Sequence, residues 1–342
     1  MASIARERLL EIFSRYDSLR IALAGDVFLD RWYEIDESLN EPSLETGLTA
    51  YQVVKKRSAP GAGGTVLNNL SEMGVGTLEV ITLVGDDGDG WELCKRLNER
   101  RVDTSNVIIS DQVVTPSYIK PLFPTEGNRL DIKNMKPTPD AIQHALIAHI
   151  EKAILRNDAL ILLDQVCEAD RGVLTSKVRE AACSLSAKHP EKLILADSRA
   201  FIDRFHDVVI KCNCLEAARM TGRRADEENF DRDMVFAYMD ELRKKNGHPV
   251  IVTCNKHGVA VETEDGKALI PAVLHNCPID ICGAEDACSA GMVTALCAGA
   301  NYAEAAAIGN LSSGVTVRML GQTGAASREA MLALYDEQNG EV

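Results

Sequence analysis

The chain has 342 residues, 46% of them apolar, and a formal net charge of −14. That is enough for one large core, or a core with a small appendage. The charge argues against a nucleic-acid surface, which needs a basic stripe; here basic residues cluster only in pairs such as Lys55-Lys56 and Lys244-Lys245. No apolar run approaches the roughly 20 residues that span a bilayer, and Met1 to Arg8 reads as an amphipathic helix rather than a signal peptide. The expectation is a cytoplasmic protein with a small-molecule partner. The ten cysteines include no C-x-x-C pair and read as free thiols of a reducing compartment. Cys212, Cys214 and Cys282 have no His or Cys partner at zinc spacing.

Residues 4–15 read as a helix, and Arg20-Ile-Ala-Leu-Ala-Gly25 as a buried first strand. Asp26 and Asp30 follow it. Ligands of open parallel sheets bind beyond the strands' carboxyl ends, so these two carboxylates are placed to accept hydrogen bonds from sugar hydroxyls, although a turn aspartate can also serve its own backbone. Residues 31–36 and 50–57 alternate like strands exposed on one face and suggest a small flap. Pro60-Gly-Ala-Gly-Gly64 comes next, and a helix over 65–73. The glycines Gly61, Gly63 and Gly64 allow backbone to approach a ligand or to hinge. They do not follow a core strand, which excludes a dinucleotide fingerprint, and no phosphate-binding G-x-x-x-x-G-K-[ST] loop occurs. Residues 78–84 read as a strand. Gly85-Asp-Asp-Gly-Asp-Gly90 lacks the downstream glutamate of a calcium loop and reads as the start of a helix over 90–100. Residues 107–135, punctuated by Pro116, Pro121 and Pro124, read as further short polar strands of the flap.

From about residue 140 strands and helices alternate. Helices are expected over 139–155, 170–187 and 231–245, and strands over 158–164, 192–197, 207–211, 249–253 and 259–262. Near-continuous apolar strands between amphipathic helices specify a parallel sheet covered on both faces. Asp164, Asp197, Asn213 and Thr253 all fall at strand ends, which converges polar groups on one edge. Asn213 and Glu216 share a helical face, suiting them to Mg²⁺ held largely through water or to an N-terminal capping box. The turn Thr253 to Gly258 would line a nucleotide, with Asn310 and Gly314 of a helix over 301–319 beside it. A last helix is expected over 327–338.

The organising stretch is Asp280-Ile-Cys-Gly-Ala-Glu-Asp286, which runs into an apolar helix beginning near Ala284. The N–H groups of Gly283, Ala284, Glu285 and Asp286 are that helix's free first-turn donors. With the positive end of the helix dipole they form an anion cradle. A carboxylate beside a bound phosphate suits removal of a proton from an attacking hydroxyl, although acids are also simply favoured in a first turn.

These motifs, in this order, resemble the ribokinase, or PfkB, family of carbohydrate kinases over about residues 18–335. Within it the chain is most similar to the bacterial heptose-phosphate kinases, through Gly25-Asp-Val-Phe-Leu-Asp-Arg31, Asn128-Arg-Leu-Asp131 and Asn310-Leu-Ser-Ser-Gly-Val-Thr-Val-Arg-Met-Leu-Gly321. The resemblance implies a doubly wound α/β core (1–30, 58–110 and 134–342) carrying a β-sheet lid (31–57 and 111–133). It implies ATP and Mg²⁺ as cofactors, Asp286 as base, the 283–286 amides as anion hole and Asp30 on the sugar. Asn213 and Glu216 would organise Mg²⁺ water, and Asp280 with nearby carbonyls leaves room for a monovalent cation such as K⁺. Arg129, beside Asp131, and Lys133 and Lys136 are either contacts to a phosphate already on the sugar or solvated lid charges. An exposed lid edge allows a homodimer.

The chain departs from the family pattern at four positions. Ala62 takes the second position of a Gly-Gly pair and Thr65 that of an asparagine, and Asn255 stands where a glycine is common. Glu285 replaces the second glycine of Gly-Ala-Gly-Asp. Pointing inward, its carboxylate would repel phosphate by about 4 kcal/mol at ~4 Å with intermediate screening; pointing outward, it leaves the amides usable. The first case implies a sugar- or nucleotide-binding or regulatory protein with impaired catalysis, the second a kinase. Few aromatics in the lid speak against a nucleoside as acceptor.

Overall fold

The computed structural model describes residues 4–223 and 230–340; residues 1–3 of the expected N-terminal amphipathic helix lie outside them. The strands are β1 (Arg20–Gly25), β2 (Val27–Ile35), β3 (Glu41–Pro42), β4 (Thr49–Ala50), β5 (Val53–Ala62), β6 (Thr77–Gly85), β7 (Val102–Ser110) and β8 (Ser117–Phe123). They continue with β9 (Thr125–Glu126), β10 (Leu130–Ile132), β11 (Ala159–Asp164), β12 (Leu193–Ser198), β13 (Val209–Asn213), β14 (Val250–Thr253), β15 (Val259–Thr263) and β16 (Gly266–Ile270). The helices are α1 (Arg6–Phe13), α2 (Gly63–Glu72), α3 (Gly88–Glu99), α4 (Asp140–Arg156), α5 (Ser176–Lys188), α6 (Cys214–Met220), α7 (Arg232–Asn246), α8 (Ala284–Cys297), α9 (Tyr302–Thr316) and α10 (Arg328–Asn339).

The main sheet runs β16-β15-β14-β13-β12-β11-β1-β6-β7, parallel from β14 to β7 and antiparallel at β15 and β16. Its central strands are buried on both sides, as their unbroken apolar runs require. One face packs on α1, α2, α3, α8, α9 and α10, the other on α4, α5, α6 and α7. This is the doubly wound arrangement expected from the sequence. Helix α8 is apolar nearly all round and buried from Ala287 to Ala295. Small residues allow this: a Cβ on Gly291 would come within 3.2 Å of the Gly309 Cα on α9. Close packing of α8 and α9 carries the amino end of α8 to the carboxyl edge of the sheet.

A second sheet, ordered β10-β8-β2-β5 with β9 on β8, is the small separate sheet expected as a lid. Strand β2 begins two residues after β1 ends, so residues 27–30 and 58–62 belong to it as well as the expected 31–57. The segment 107–110, expected in the flap, instead completes β7 at the edge of the main sheet, paired in parallel with β6. The lid is fastened at its root: Arg31 bridges Asp89 and Glu92 of α3, and the Ser117 hydroxyl donates to Asp89 at 2.6 Å. Its outer strand β5 leaves Val53 and Val54 exposed.

The helix expected over 170–187 starts only at Ser176, capped by the Thr175 hydroxyl. The reason is Asp26. Its buried carboxylate accepts N–H bonds from Gln165 (2.8 Å), Val166 (3.0 Å) and Val173 (2.8 Å), which folds residues 165–173 into a loop over the end of β11. Burial pushes the Asp26 carboxyl up while these three donors pull it down. Asp26→Ala would leave three N–H groups without an acceptor, two of them on the half-buried Gln165 and Val166. The expected outcome is a loss of about 3 kcal/mol or more in unfolding free energy, read from the denaturant midpoint.

Candidate active site

The parallel register sets the site. It places Leu163 beside Asp197, Asp197 beside Lys211, and Asn213 beside Thr253. Lys211 and Asp197 therefore point to the same face, that of α8. The sequence reading marked Asp197 as a strand-end polar group and missed Lys211. A lysine inside the otherwise apolar run of β13 was the available signal. Its ammonium is 1% exposed and lies 2.9 Å from Asp197 Oδ2, a pairing that a buried charge requires.

A cavity of about 320 Å³ opens here between the sheet edge, the lid and the start of α8. From α8 and the turn before it come Ile281, Cys282, Gly283, Glu285 and Asp286. The lid contributes Phe28, Asp30, Tyr118, Lys120 and Arg129, and the strand ends and following turns Asp197, Arg199 and Glu216. Thr65 and Thr323 also face it.

Gly283 takes a left-handed conformation (φ 77°, ψ 4°) and starts α8 without a side-chain cap. The Ala284 N–H donates to the Ile281 carbonyl at 3.1 Å, so this member of the expected cradle is occupied by the turn itself. The N–H groups of Gly283, Glu285 and Asp286 have no partner among the described residues. Asp286 also has no side-chain hydrogen bond among them, and it faces the cavity. Burial, then Asp197, raises its carboxyl to about 7, against the pull of Lys211.

Glu285 turns away from those amides. Its Oε2 accepts a long hydrogen bond from Asn213 Nδ2 (3.4 Å) and lies 3.9 Å from Lys211 Nζ. Asn213 and Glu216 form the capping box of α6: the Asn213 Oδ1 accepts from Glu216 N–H, and Glu216 Oε2 from Asn213 N–H, both at 2.9 Å. Glu216 nevertheless faces the cavity, and burial followed by Asp197 raises its carboxyl to about 7.

On the opposite wall Asp30 has no side-chain partner among the described residues. Burial raises its pKa, opposed by Lys120 and Arg129. Gly61, paired with Phe28 beside it, makes room for that carboxylate: a Cβ there would meet Asp30 Oδ2 at 2.5 Å. Ala62 is held at φ 51°, ψ −119°, a region that costs an L-residue on the order of 1–3 kcal/mol. Arg129 grips Asp131 with two bonds (2.6 and 2.9 Å) and covers the Tyr118 ring. Asp131 thus positions Arg129 and does not itself line the cavity. Arg199 and Lys120 also line the wall, and neither has an ion pair among the described residues.

Several expected site residues do not line this cavity. The Asp26 carboxylate is spent on the backbone, as described. Gly63 and Gly64 serve close packing, since a Cβ would meet the Asp26 carbonyl at 2.9 Å and the Pro60 Cβ at 2.2 Å, respectively. Thr253 is buried and donates to the Cys212 carbonyl. Gly258 (φ 105°) closes the β14–β15 turn, where a Cβ would strike the Ile270 carbonyl at 1.9 Å. Asn310 holds the Ile270 and Pro271 carbonyls, and Gly314 packs on Val273. None of these four lines the cavity. Asp280 accepts from the Cys282 and Gly321 N–H groups, at 3.0 Å each, which ties the turn before α8 to the segment after α9. Lys133 pairs loosely with Glu168 (3.9 Å), outside the cavity.

Among known proteins, the HldE bifunctional protein of Aliarcobacter butzleri is 26% identical over 303 residues, 88% of this chain and 61% of that protein. The HldE protein of Bradyrhizobium diazoefficiens is 27% identical over 308 residues, 87% of this chain and 59% of that one. The chain thus spans about three-fifths of the length of these relatives. Among solved structures, Arabidopsis thaliana ribokinase, complexed with ribose and ATP, superposes with a TM-score of 0.69 at 14% identity, covering 92% of this chain and 98% of that one. Thermotoga maritima ribokinase gives 0.67 at 16% identity, with 93% and 99% coverage. These likenesses show a ribokinase-like fold. The family model for pfkB carbohydrate kinases matches residues 33–328, and the chain therefore belongs to the pfkB family of carbohydrate kinases.

Proposed function

We propose that the protein transfers the terminal phosphoryl group of ATP to a hydroxyl of a sugar phosphate, with Asp286 as the base. The observation that carries this reading is the meeting, in one cavity, of a carboxylate with three N–H groups at the positive end of α8, none of them engaged among the described residues. Phosphoryl transfer asks for that pair: donors where charge sits on the transferring group and an acceptor for the hydroxyl proton. Asp30, across the cavity, accepts from a sugar hydroxyl and orients the acceptor. Lys120 and Arg199 supply positive charge on the same wall, matching an acceptor that is itself anionic. The resemblance to heptose-phosphate kinases over residues 25–31, 128–131 and 310–321 supports a phosphorylated sugar as the acceptor.

The residues fit a magnesium ion held mainly by nucleotide phosphates and water. Glu216 presents a carboxylate already crowded by Asp197 and Glu285, whereas no group of three side chains able to cage a metal occurs among the described residues. Such an ion would neutralise charge on the phosphates. A purely binding protein with impaired catalysis is the alternative suggested by the altered glycine positions Ala62, Asn255 and Glu285; the Glu285 carboxylate, leaning on Lys211 and Asn213, speaks against it.

Asp286→Asn should lower turnover by about 10²–10⁴-fold while raising the melting temperature at pH 8. The sign follows from the carboxyl, which at about 7 sits above its unfolded value near 4: above pH 7 folding buries a charge, and the neutral amide removes that cost. Normal turnover in this variant rules out the assignment. For the wild type, kcat/KM should rise with pH through a midpoint near the Asp286 value of about 7, because the protonated acid cannot accept the hydroxyl proton; a flat profile between about pH 5 and about pH 9 contradicts it. Arg199→Met should raise KM for a sugar phosphate by about tenfold or more, the loss of one charge-assisted contact, and leave KM for the unphosphorylated sugar nearly unchanged. Equal effects on both remove Arg199 from acceptor recognition.

A further inference from the structure

Glu285 puts a carboxylate on the turn whose free amides face the cavity, and nothing in the proposed reaction uses it. A first-turn glutamate is attracted by the positive end of its own helix and can fold back towards the N–H groups there. That would close the anion site with an internal anion. The structure has a different arrangement. Lys211 reaches from β13 on the α8 face, fully buried, with Asp197 at 2.9 Å and the Glu285 Oε2 at 3.9 Å. Asn213 Nδ2 reaches the same oxygen from the start of α6. Ser289, one turn further along α8, ties the two sides together: its hydroxyl lies 3.0 Å from the Glu285 carbonyl and 3.3 Å from Asp197 Oδ2. The charged groups around Glu285 are thus Asp197, Lys211 and Glu216 from the sheet side and Asp286 from its own helix. Lys211 is the cation that reaches the Glu285 carboxylate; Arg199, on the same cavity wall, acts on Asp286.

We propose that Lys211, anchored by Asp197, is a positioning residue: it draws the Glu285 carboxylate off the amides of Gly283, Glu285 and Asp286 and so keeps that turn open to a phosphoryl group. The inference rests on the kinase reading above. Lys211 does this without touching the reacting atoms. It also offsets part of the negative charge that the half-exposed Glu285 carboxylate brings to this end of the cavity. The arrangement links two residues far apart in sequence. A glycine at position 285 needs no such counter-charge, whereas a glutamate there without Lys211 turns inward.

The test is the dependence of the Lys211 effect on Glu285. ATP·Mg²⁺ binding to the full chain is measured by calorimetry for wild type, K211M, E285G and K211M/E285G, with thermal melts alongside. The expected result is that K211M weakens ATP·Mg²⁺ binding by at least about tenfold in the presence of Glu285 and by less than about threefold in the E285G background. A lysine that only stabilises the fold gives the same loss in both backgrounds, and that outcome overturns the proposal, as does unchanged binding in K211M. Where K211M leaves Asp197 unpaired and the protein fails to fold, D197L/K211M replaces the buried ion pair with a pair of apolar side chains. The comparison is then D197L/K211M against D197L/K211M/E285G, with the same two outcomes. If wild type itself fails to bind ATP·Mg²⁺, the kinase reading falls and takes this inference with it. If wild type binds and the rescue is absent, only the role of Lys211 is lost.

Discussion

The amino end of α8 is the constraint on which the site depends. Helix ends leave N–H groups without partners, and burying them without compensation is costly. Here α8 is held deep against the sheet by an interface of alanine, glycine and serine side chains with α9. Its first turn opens into the cavity at the carboxyl edge of the sheet. Three donors stay free because the turn preceding the helix, with Gly283 left-handed, satisfies only Ala284.

That placement creates an electrostatic problem which the surrounding strands address. Asp197, Glu216, Glu285 and Asp286 crowd one end of the cavity, and two of the four carboxyls are driven up to about 7. In a site of low dielectric such crowding favours protons or cations. Lys211 is the permanent cation of the group, and its own burial is tolerable only because Asp197 lies beside it in register. The remaining negative charge suits a magnesium ion carried in on nucleotide phosphates, under the function proposed.

Under the function proposed, the acceptor side depends on the lid. Strands β2 and β5 bring Asp30 and Gly61 together through antiparallel pairing, and β8 adds Tyr118 and Lys120 through parallel pairing with β2. Ala62 bears the cost of the sharp passage from β5 into α2 in a conformation that glycine adopts more readily. Its methyl group lines the cavity. The same Ala62, read in the sequence as a departure from a Gly-Gly pair, is thus the point where lid, helix and cavity meet.

What the sequence by itself determined was the architecture and the residues of the α8 turn. Unbroken apolar strands between amphipathic helices can be buried only as a parallel sheet covered on both faces, and a small-residue helix after Gly283 can only be a buried one. Those are local patterns, legible from periodicity and composition. Tertiary structure alone decided which polar groups share the cavity. Asp26 and Asp30 look equivalent in the chain, yet one faces the amides of residues 165–173 and the other an open wall. Asn213 and Glu216 read equally as cap or as ligand organiser; the structure closes the capping box and still turns Glu216 to the cavity. Lys211 and the direction of Glu285 were hidden because they depend on a pairing between residues 74 positions apart, the register of two strands, and the burial that makes a charge seek its nearest opposite.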